Sequence, residues 1–391
     1  MKRVKFRTVL IPAIVLTGIG LSSIYSAGGW VYFIRQLLWF LLSLLFFYLA
    51  YRAEKRILIT FSPFLYFLAI FFLLSVLVLN HGPVKRWLNF GPVSIQPAEF
   101  AKVFAILFLA RILAQKKKFS FSLSSLALPS LLIFLPAFLI FLQPDLGSAL
   151  SFLAIFAFLL YFKGLRGYEI VLLFSPLFSC LFGLSLTSWV IYFFALALFL
   201  YFKASITQFL SGLGINSFFG LLTPVLFNNL KDYQKTRLLS FLSSSLDYKG
   251  TGWSAFQSKV AIGSGLFFGK GYLKGKMARL EFIPNRHTDF IFTTIGEEFG
   301  LLGGAILIGI FLYFLYNLLR LIRGLRDETG QLVIAGGVGL FFYHIVVNLG
   351  MVLGILPVTG LTLPFISYGG SSLLANFLLL GLMLNFALKE D

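Results

Sequence analysis

Apolar runs of eighteen or more residues recur along the whole chain, and few sequence features restrict a fold more. A run of that length crosses a hydrocarbon layer as one helix. A bilayer interior offers no water to backbone N–H and C=O groups, so each crossing segment must satisfy its own. Hydrophobic residues make up 59% of the 391 residues and charged residues only 12%, with mean hydropathy +0.93. That composition excludes an ordinary soluble domain. The expected fold class is an all-α polytopic membrane protein of about twelve transmembrane helices, a single integral membrane domain over 1–391. The net charge of +18 brings nucleic acid to mind. Membrane topology explains it more simply, because Lys and Arg gather in the short loops between spans. No G-x-x-x-x-G-K-S/T stretch occurs, so nothing points to P-loop nucleotide hydrolysis. The one cysteine, Cys180, permits no disulfide within the chain, and His81, His287 and His344 lack metal-ligand spacing.

Spans are expected near 9–26, 30–50 and 57–80, a fourth opened by Pro97 and closed by Lys116–Lys118, a fifth near 124–141 and a sixth from Asp145 to FKGLRG, then 169–182, 187–201 and 206–227, and finally 301–322, 331–350 and 373–388. The basic start (MKRVKFR) with its long apolar follower reads as an anchor, not a cleaved signal. YRAEKR, Lys116–Lys118, FKGLRG and RLIRGLRDE all fall on the same side as both termini, which makes that side cytoplasmic. The opposite side carries one long segment, 230–288, with ten Lys/Arg against three acids. Its glycine-bearing stretch AIGSGLFFGKGYLKGK suits either an oxyanion, through backbone N–H nests and lysines such as Lys259 and Lys270, or anionic headgroups of membrane lipids.

Polar residues at membrane boundaries mark the places where chemistry is expected. Arg286, His287, Thr288 and Asp289 precede an apolar run, and Glu297 and Glu298 follow at membrane depth. Thr288-Asp289 also reads as a helix N-cap, and both readings stand on these residues alone. Arg86 and Trp87 lie in the loop HGPVKRWLNFGPVSIQP, with Gln96 at its end. Trp87 fits an aromatic belt or a ligand wall. Glu99 and Lys102 stand three apart on the helix that Pro97 opens, so they can neutralise each other or line a cavity. Asp145, in QPDLGSAL, is a further cap or a further acid at a mouth. Pro357, Gly360, Pro364, Gly369 and Gly370 break the helical pattern between the last two spans. Irregular backbone at that depth survives only where protein or a water-filled cavity satisfies it, so a re-entrant element with Ser367 and Tyr368 is expected.

Six stretches together, RWLNFGPVSIQPAEFAK, QPDLGSAL, LKDYQKTRLLSFL, QSKVAIGSGLFFGKGYLKG, EFIPNRHTDFIFTTIGEEFG and GILPVTGLTLPFISYGGSS, resemble the SEDS family of shape, elongation, division and sporulation proteins. They cover most of the chain, and their wording is nearer to the RodA branch than to FtsW. The resemblance implies a peptidoglycan glycosyltransferase that joins lipid II at the outer face of the bacterial plasma membrane, with a class B penicillin-binding protein as transpeptidase partner and other elongation-complex membrane proteins nearby. It implies Asp289 as catalytic acid/base. Arg86, Trp87, Gln96, Glu99, Lys102, Asp145, Lys259, Lys270, Arg286, His287, Thr288, Ser367 and Tyr368 are then expected around the substrate. No small-molecule cofactor is implied, though a divalent cation, Mg or Mn, could help neutralise the diphosphate. The family usually has ten spans, so the stretch 168–229 holds an extra hairpin here. Asn285 stands where the family often has Glu. Two rival readings use the same features: a flippase for the lipid-linked precursor, which many spans and a broken helix would serve, and a scaffold with no chemistry of its own.

Overall fold

The chain is seen in a computed structural model that describes residues 6–79, 86–91, 93–116, 119–229, 251–275 and 286–388. LKDYQKTRLLSFL and the Lys117–Lys118 pair lie outside the described residues. The helices in chain order begin with α1 (Phe6–Gly28), α2 (Trp30–Arg52) and α3 (Lys55–Leu79). A short hairpin of β1 (Leu88–Phe90) and β2 (Val93–Ile95) follows. Then come α4 (Pro97–Gln115), α5 (Leu123–Leu142), α6 (Leu146–Phe162), α7 (Gly167–Phe182), α8 (Leu186–Lys203) and α9 (Ile206–Asn228). The last four are α10 (Thr251–Ser264), α11 (Ile291–Ile322), α12 (Glu328–Val352) and α13 (Gly370–Leu388).

Each expected span falls within one of these helices to within a few residues, except that α11 begins at Ile291, ahead of the expected 301, and α10 is additional. Eight of them are long and apolar enough to cross a membrane by length and composition, and α6 and α7 are shorter apolar helices. The protein is therefore an all-α multi-pass membrane protein. Helix α4 is less apolar because it carries Glu99, Lys102 and Arg111. Its interior is nevertheless tightly packed, since α3, α12 and α13 cover it.

One expectation needs correction. The segment 230–288 contains a helix, α10, which packs against α11. The glycine-bearing stretch after α10 is not an open anion nest. The amides of Lys270 and Gly271 donate to the carbonyls of Glu297 and Glu298 at 3.0 and 2.9 Å, and the Leu266 carbonyl accepts from Leu301 N–H at 2.9 Å. The physical reason is a break in α11. Gly300 sits at φ 65 and ψ −162, a conformation open essentially only to glycine, and the break strands backbone groups on either side. The stretch 265–271 satisfies them. A Cβ on Gly300 would lie 2.4 Å from the Gly269 nitrogen.

Between α12 and α13 the chain runs irregularly through the interior, as the Pro/Gly pattern foretold. Leu361, Leu363, Phe365 and Ile366 are buried there, and the Phe365 ring meets Phe314 and Phe377 edge to face and Phe341 at a tilt. Side chains satisfy its backbone: Ser367 Oγ accepts from Leu363 N–H at 2.8 Å, and Asn348 Nδ2 donates to the Leu361 carbonyl at 2.7 Å.

Helices α7, α8 and α9 form a satellite with its own small core of Leu172, Leu196 and Leu200. A polar seam fixes their register. Asn216 Nδ2 donates to Ser175 Oγ at 2.8 Å, and Trp189 Nε1 donates to Ser179 Oγ at 2.9 Å.

Candidate active site

One cavity of about 1060 Å³ opens where the hairpin, the start of α6, the turn before α11 and the irregular segment meet. Its wall includes Arg86, Trp87, Gln96, Glu99, Asp145, Thr288, Asp289 and Tyr368 from the expected set. The wall also includes Arg35 and Trp39 of α2 and Gly360 of the irregular segment. Sequence reasoning missed Arg35. A lone arginine inside an apolar span was its one available signal.

Local structure explains each position. Pro97 opens α4 at its first turn, which sets Gln96 as the N-cap and turns Glu99 inward. The Gln96 amide is tied to Ser371 Oγ at 3.1 Å, linking the hairpin to α13. Asp145 is the N-cap of α6, so that reading of it holds: its carboxylate accepts from Ser148 N–H at 3.2 Å and Ser148 Oγ at 3.0 Å. Gln96 Nε2 adds a third donor at 3.1 Å. Arg86 lies 4.0 Å from the same carboxylate and donates to the carbonyls of Gln143 and Pro144.

For Asp289 the capping reading fails. The N-cap of α11 is Phe290, and no side chain caps it. Asp289 is instead gripped by its backbone, whose carbonyl accepts from Asn348 Nδ2 at 2.8 Å. Its carboxyl borders the cavity beside Gly360, where a Cβ would stand 3.4 Å from Oδ2. Gly360 has φ +74, which further favours glycine there. Burial pushes the Asp289 carboxyl up from 3.8 to about 7. The Thr288 side chain opposes that rise, the negative charge of Asp145 adds to it, and Arg86 opposes it. A carboxyl poised near neutrality, in a wide cavity, can take or give a proton at working pH.

The other expected residues surround this wall without lining it. His287 packs at a tilt against Tyr32 with ring centroids 4.2 Å apart and stands 5.4 Å from the Tyr368 ring. Burial, reinforced by the positive charge of Arg286, lowers its pKa, so the imidazole is neutral at pH 7. Arg286 Nε donates to the Ala27 carbonyl at 2.6 Å, at the end of α1. Ser367 Oγ donates to the Thr288 carbonyl at 2.7 Å. Lys102 lies under the cavity floor, 2.7 Å from Glu99 Oε1 and 3.3 Å from His344 Nε2. Because an ammonium only donates, His344 accepts at Nε2 and its Nδ1–H faces the Thr362 carbonyl at 3.2 Å. Two lysines lie outside this arrangement. Lys270 is bound to Glu297 at 2.7 Å and to Ser264 at 2.6 Å, and Lys259 is exposed on α10.

The described residues do not form a resident metal cage. Among the described residues no three His, Cys, Asp or Glu side chains gather as ligands. Asp145 and Glu99 already hold protein donors. A magnesium-like ion would need substrate phosphates to complete its shell.

The family model described as cell cycle protein, covering FtsW, RodA and SpoVE, matches residues 2–210 and 171–391. The two matches overlap within the satellite helices. Among curated relatives, the peptidoglycan glycosyltransferase RodA of Treponema pallidum is 32% identical, over 98% of this chain and 97% of its own. The peptidoglycan glycosyltransferase MrdB of Escherichia coli is 33% identical over 80% of this chain and 74% of its own. Among solved structures, one described as the structural coordination of polymerization and crosslinking by a peptidoglycan synthase complex superimposes with TM-score 0.72. It is 29% identical and covers 96% of this chain and 95% of its own. The rod shape determining protein RodA of Thermus thermophilus superimposes with TM-score 0.66 at 25% identity, covering 98% of each chain.

Proposed function

The chain belongs to the FtsW/RodA/SpoVE family, and from that membership and the setting of Asp289 we propose that it is a peptidoglycan glycosyltransferase that polymerises lipid II. The observation that carries the proposal is a carboxyl raised to about 7 at the wall of a cavity of about 1060 Å³. Asp289 acts as general base. It takes the proton of the acceptor 4-hydroxyl of N-acetylglucosamine while that oxygen attacks the anomeric carbon of the donor N-acetylmuramyl unit. The bond from that carbon to the polyprenyl diphosphate breaks, and the diphosphate leaves as an anion. An α-linked donor giving a β-linked product requires inversion, which one displacement supplies without a covalent enzyme intermediate. General-base help of this kind contributes about 10²–10⁴-fold in rate.

Arg86 and Arg35 stand at the wall where the leaving diphosphate needs cations. Glu99, held by Lys102, Gln96 and Asp145 shape the polar floor, and Trp87 and Tyr368 offer ring surfaces to sugar. Arg286, His287, Thr288 and Ser367 hold the turn that presents Asp289. In this reading the cavity faces outward from a bacterial plasma membrane, both termini are cytoplasmic, and the work is done during cell elongation. A class B penicillin-binding protein supplies the crosslinking. The likeness to a polymerization and crosslinking complex supports that partnership.

The test is polymerisation by purified protein from lipid II, read as glycan ladders on a gel, with Asp289→Ala beside wild type. Polymer from wild type alone supports the proposal. Polymer from both removes Asp289 from the chemistry. Translocation of lipid II without polymer establishes the flippase reading, and neither product nor translocation establishes the scaffold.

A further inference from the structure

A second cavity, of about 580 Å³, lies between α6, the start of α7 and the end of α11. Helix α6 begins at the Asp289 cavity beside Asp145 and runs 17 residues to Phe162. The second cavity is thus displaced about 25 Å along the helix axis, toward the opposite membrane face. Its walls are Phe158 and Phe162 of α6, Ile170 of α7 and Leu319 of α11, with Tyr161 and Arg323 at the rim. Such a volume lies within the range of small-molecule sites, about 300–1,000 Å³.

Water would fill this space poorly, because aromatic and aliphatic groups dominate its walls. The rim adds a charge that no described acid compensates. Among the described residues no carboxylate lies within ion-pair distance of Arg323. The neighbouring acids are engaged elsewhere: Glu328 with Lys163, Glu169 with the Arg166 amide, and Asp327 with the amides of Thr329 and Gly330. Arg320 rests over the Tyr316 ring. A guanidinium above an apolar trench, in a protein bathed in lipid, complements one kind of molecule: an anionic headgroup on an acyl chain.

We propose that this groove binds one anionic phospholipid from the leaflet opposite the Asp289 cavity. Its phosphate lies on Arg323 and one acyl chain lies among Phe158, Ile170 and Leu319. The lipid fills the seam at which the satellite α7–α9 joins the core. This is independent of the chemistry at Asp289.

The test uses the full chain reconstituted in nanodiscs containing phosphatidylglycerol and phosphatidylcholine in equal parts, then released for native mass spectrometry. Wild type is expected to retain one phosphatidylglycerol in preference to phosphatidylcholine. Arg323→Gln is expected to lower that preference about fivefold, the weight of one surface cation toward an anionic leaflet. Gly167→Leu is the second variant. Gly167 lines the groove and a Cβ there meets nothing within 4 Å, so a larger side chain at this position is expected to occupy the space. It is expected to abolish retention of either lipid, whereas Arg52→Gln, at the remote end of α2, changes nothing. Equal retention of the two lipids by wild type would overturn the proposal, as would an unaltered preference in Arg323→Gln. Displacement of the retained lipid by millimolar inorganic phosphate would also overturn it, since the acyl chain would then contribute nothing.

Discussion

Asn348 holds Asp289 by its backbone and leaves the carboxyl to the cavity. One buried side-chain nitrogen donates to the Asp289 carbonyl at 2.8 Å and to the Leu361 carbonyl at 2.7 Å. The turn before α11 and the irregular segment before α13 are thereby fixed to α12 at the same atom. Asn348→Leu removes both donors and leaves two carbonyls unpaired in the interior. A misplacement near 1 Å costs about 10²-fold in rate. Polymerisation kinetics should show kcat reduced by about that factor with KM changed far less. An equal loss in both would mean that Asn348 supports substrate binding, not the placement of Asp289.

Gly300 is the backbone hinge on which the start of α11 depends. Gly300→Ala places a methyl group 2.4 Å from the Gly269 nitrogen in a conformation that only glycine tolerates. The conformational cost alone is about 1–3 kcal/mol, and the collision adds to it. Thermal unfolding in detergent should show a marked loss of stability. Wild-type stability would mean that the segments 265–271 and 297–302 do not interlock.

Glu99 and Lys102 are both buried and lie 2.7 Å apart. Removing one partner strands the other, at a cost of about 3–5 kcal/mol. Glu99→Gln or Lys102→Met alone should therefore destabilise more than the double substitution does. Unfolding of the four proteins of that cycle checks this. Additive losses would show that the two charges are not compensating each other.

How much of this was legible in the sequence follows from what each feature depends on. Spans were readable because hydrocarbon thickness dictates length, and the broken element before α13 was readable because Pro357, Gly360 and Pro364 cannot continue a helix. The Glu99–Lys102 pair followed from helical spacing. What escaped depends on distant partners. Nothing near Asp289 in sequence reveals that Phe290 takes the cap position or that Asn348 grips the backbone from fifty-nine residues away. The amides around Lys270 looked like an anion site because the break at Gly300, whose carbonyls they satisfy, is invisible until α11 is built. The satellite helices were countable, but their separate core was not.

A raised carboxyl pKa also makes a statement about stability. Between pH 3.8 and 7 the folded protein holds a proton on Asp289 that the unfolded chain has released. Stability therefore falls as pH rises through that window, and the full cost is present above 7. Asp289→Asn abolishes the effect. It should be more stable than wild type at pH 8, by about 4 kcal/mol, the span from 3.8 to about 7 taken at about 1.4 kcal/mol per pH unit, and equally stable near pH 3.5. Thermal unfolding at the two pH values checks the sign. A difference independent of pH would place its origin elsewhere.

The most direct measurement of the central claim is the initial rate of glycan polymerisation as a function of pH, for wild type, Asp289→Asn and His287→Gln. A general base must be deprotonated, so the wild-type rate should rise with pH through an inflection near 7, where burial sets the Asp289 carboxyl. His287→Gln should keep that inflection, because the imidazole is already neutral there. Asp289→Asn should lose it, along with about 10²–10⁴-fold in rate. An inflection that survives in Asp289→Asn, or that vanishes with His287, would contradict the account.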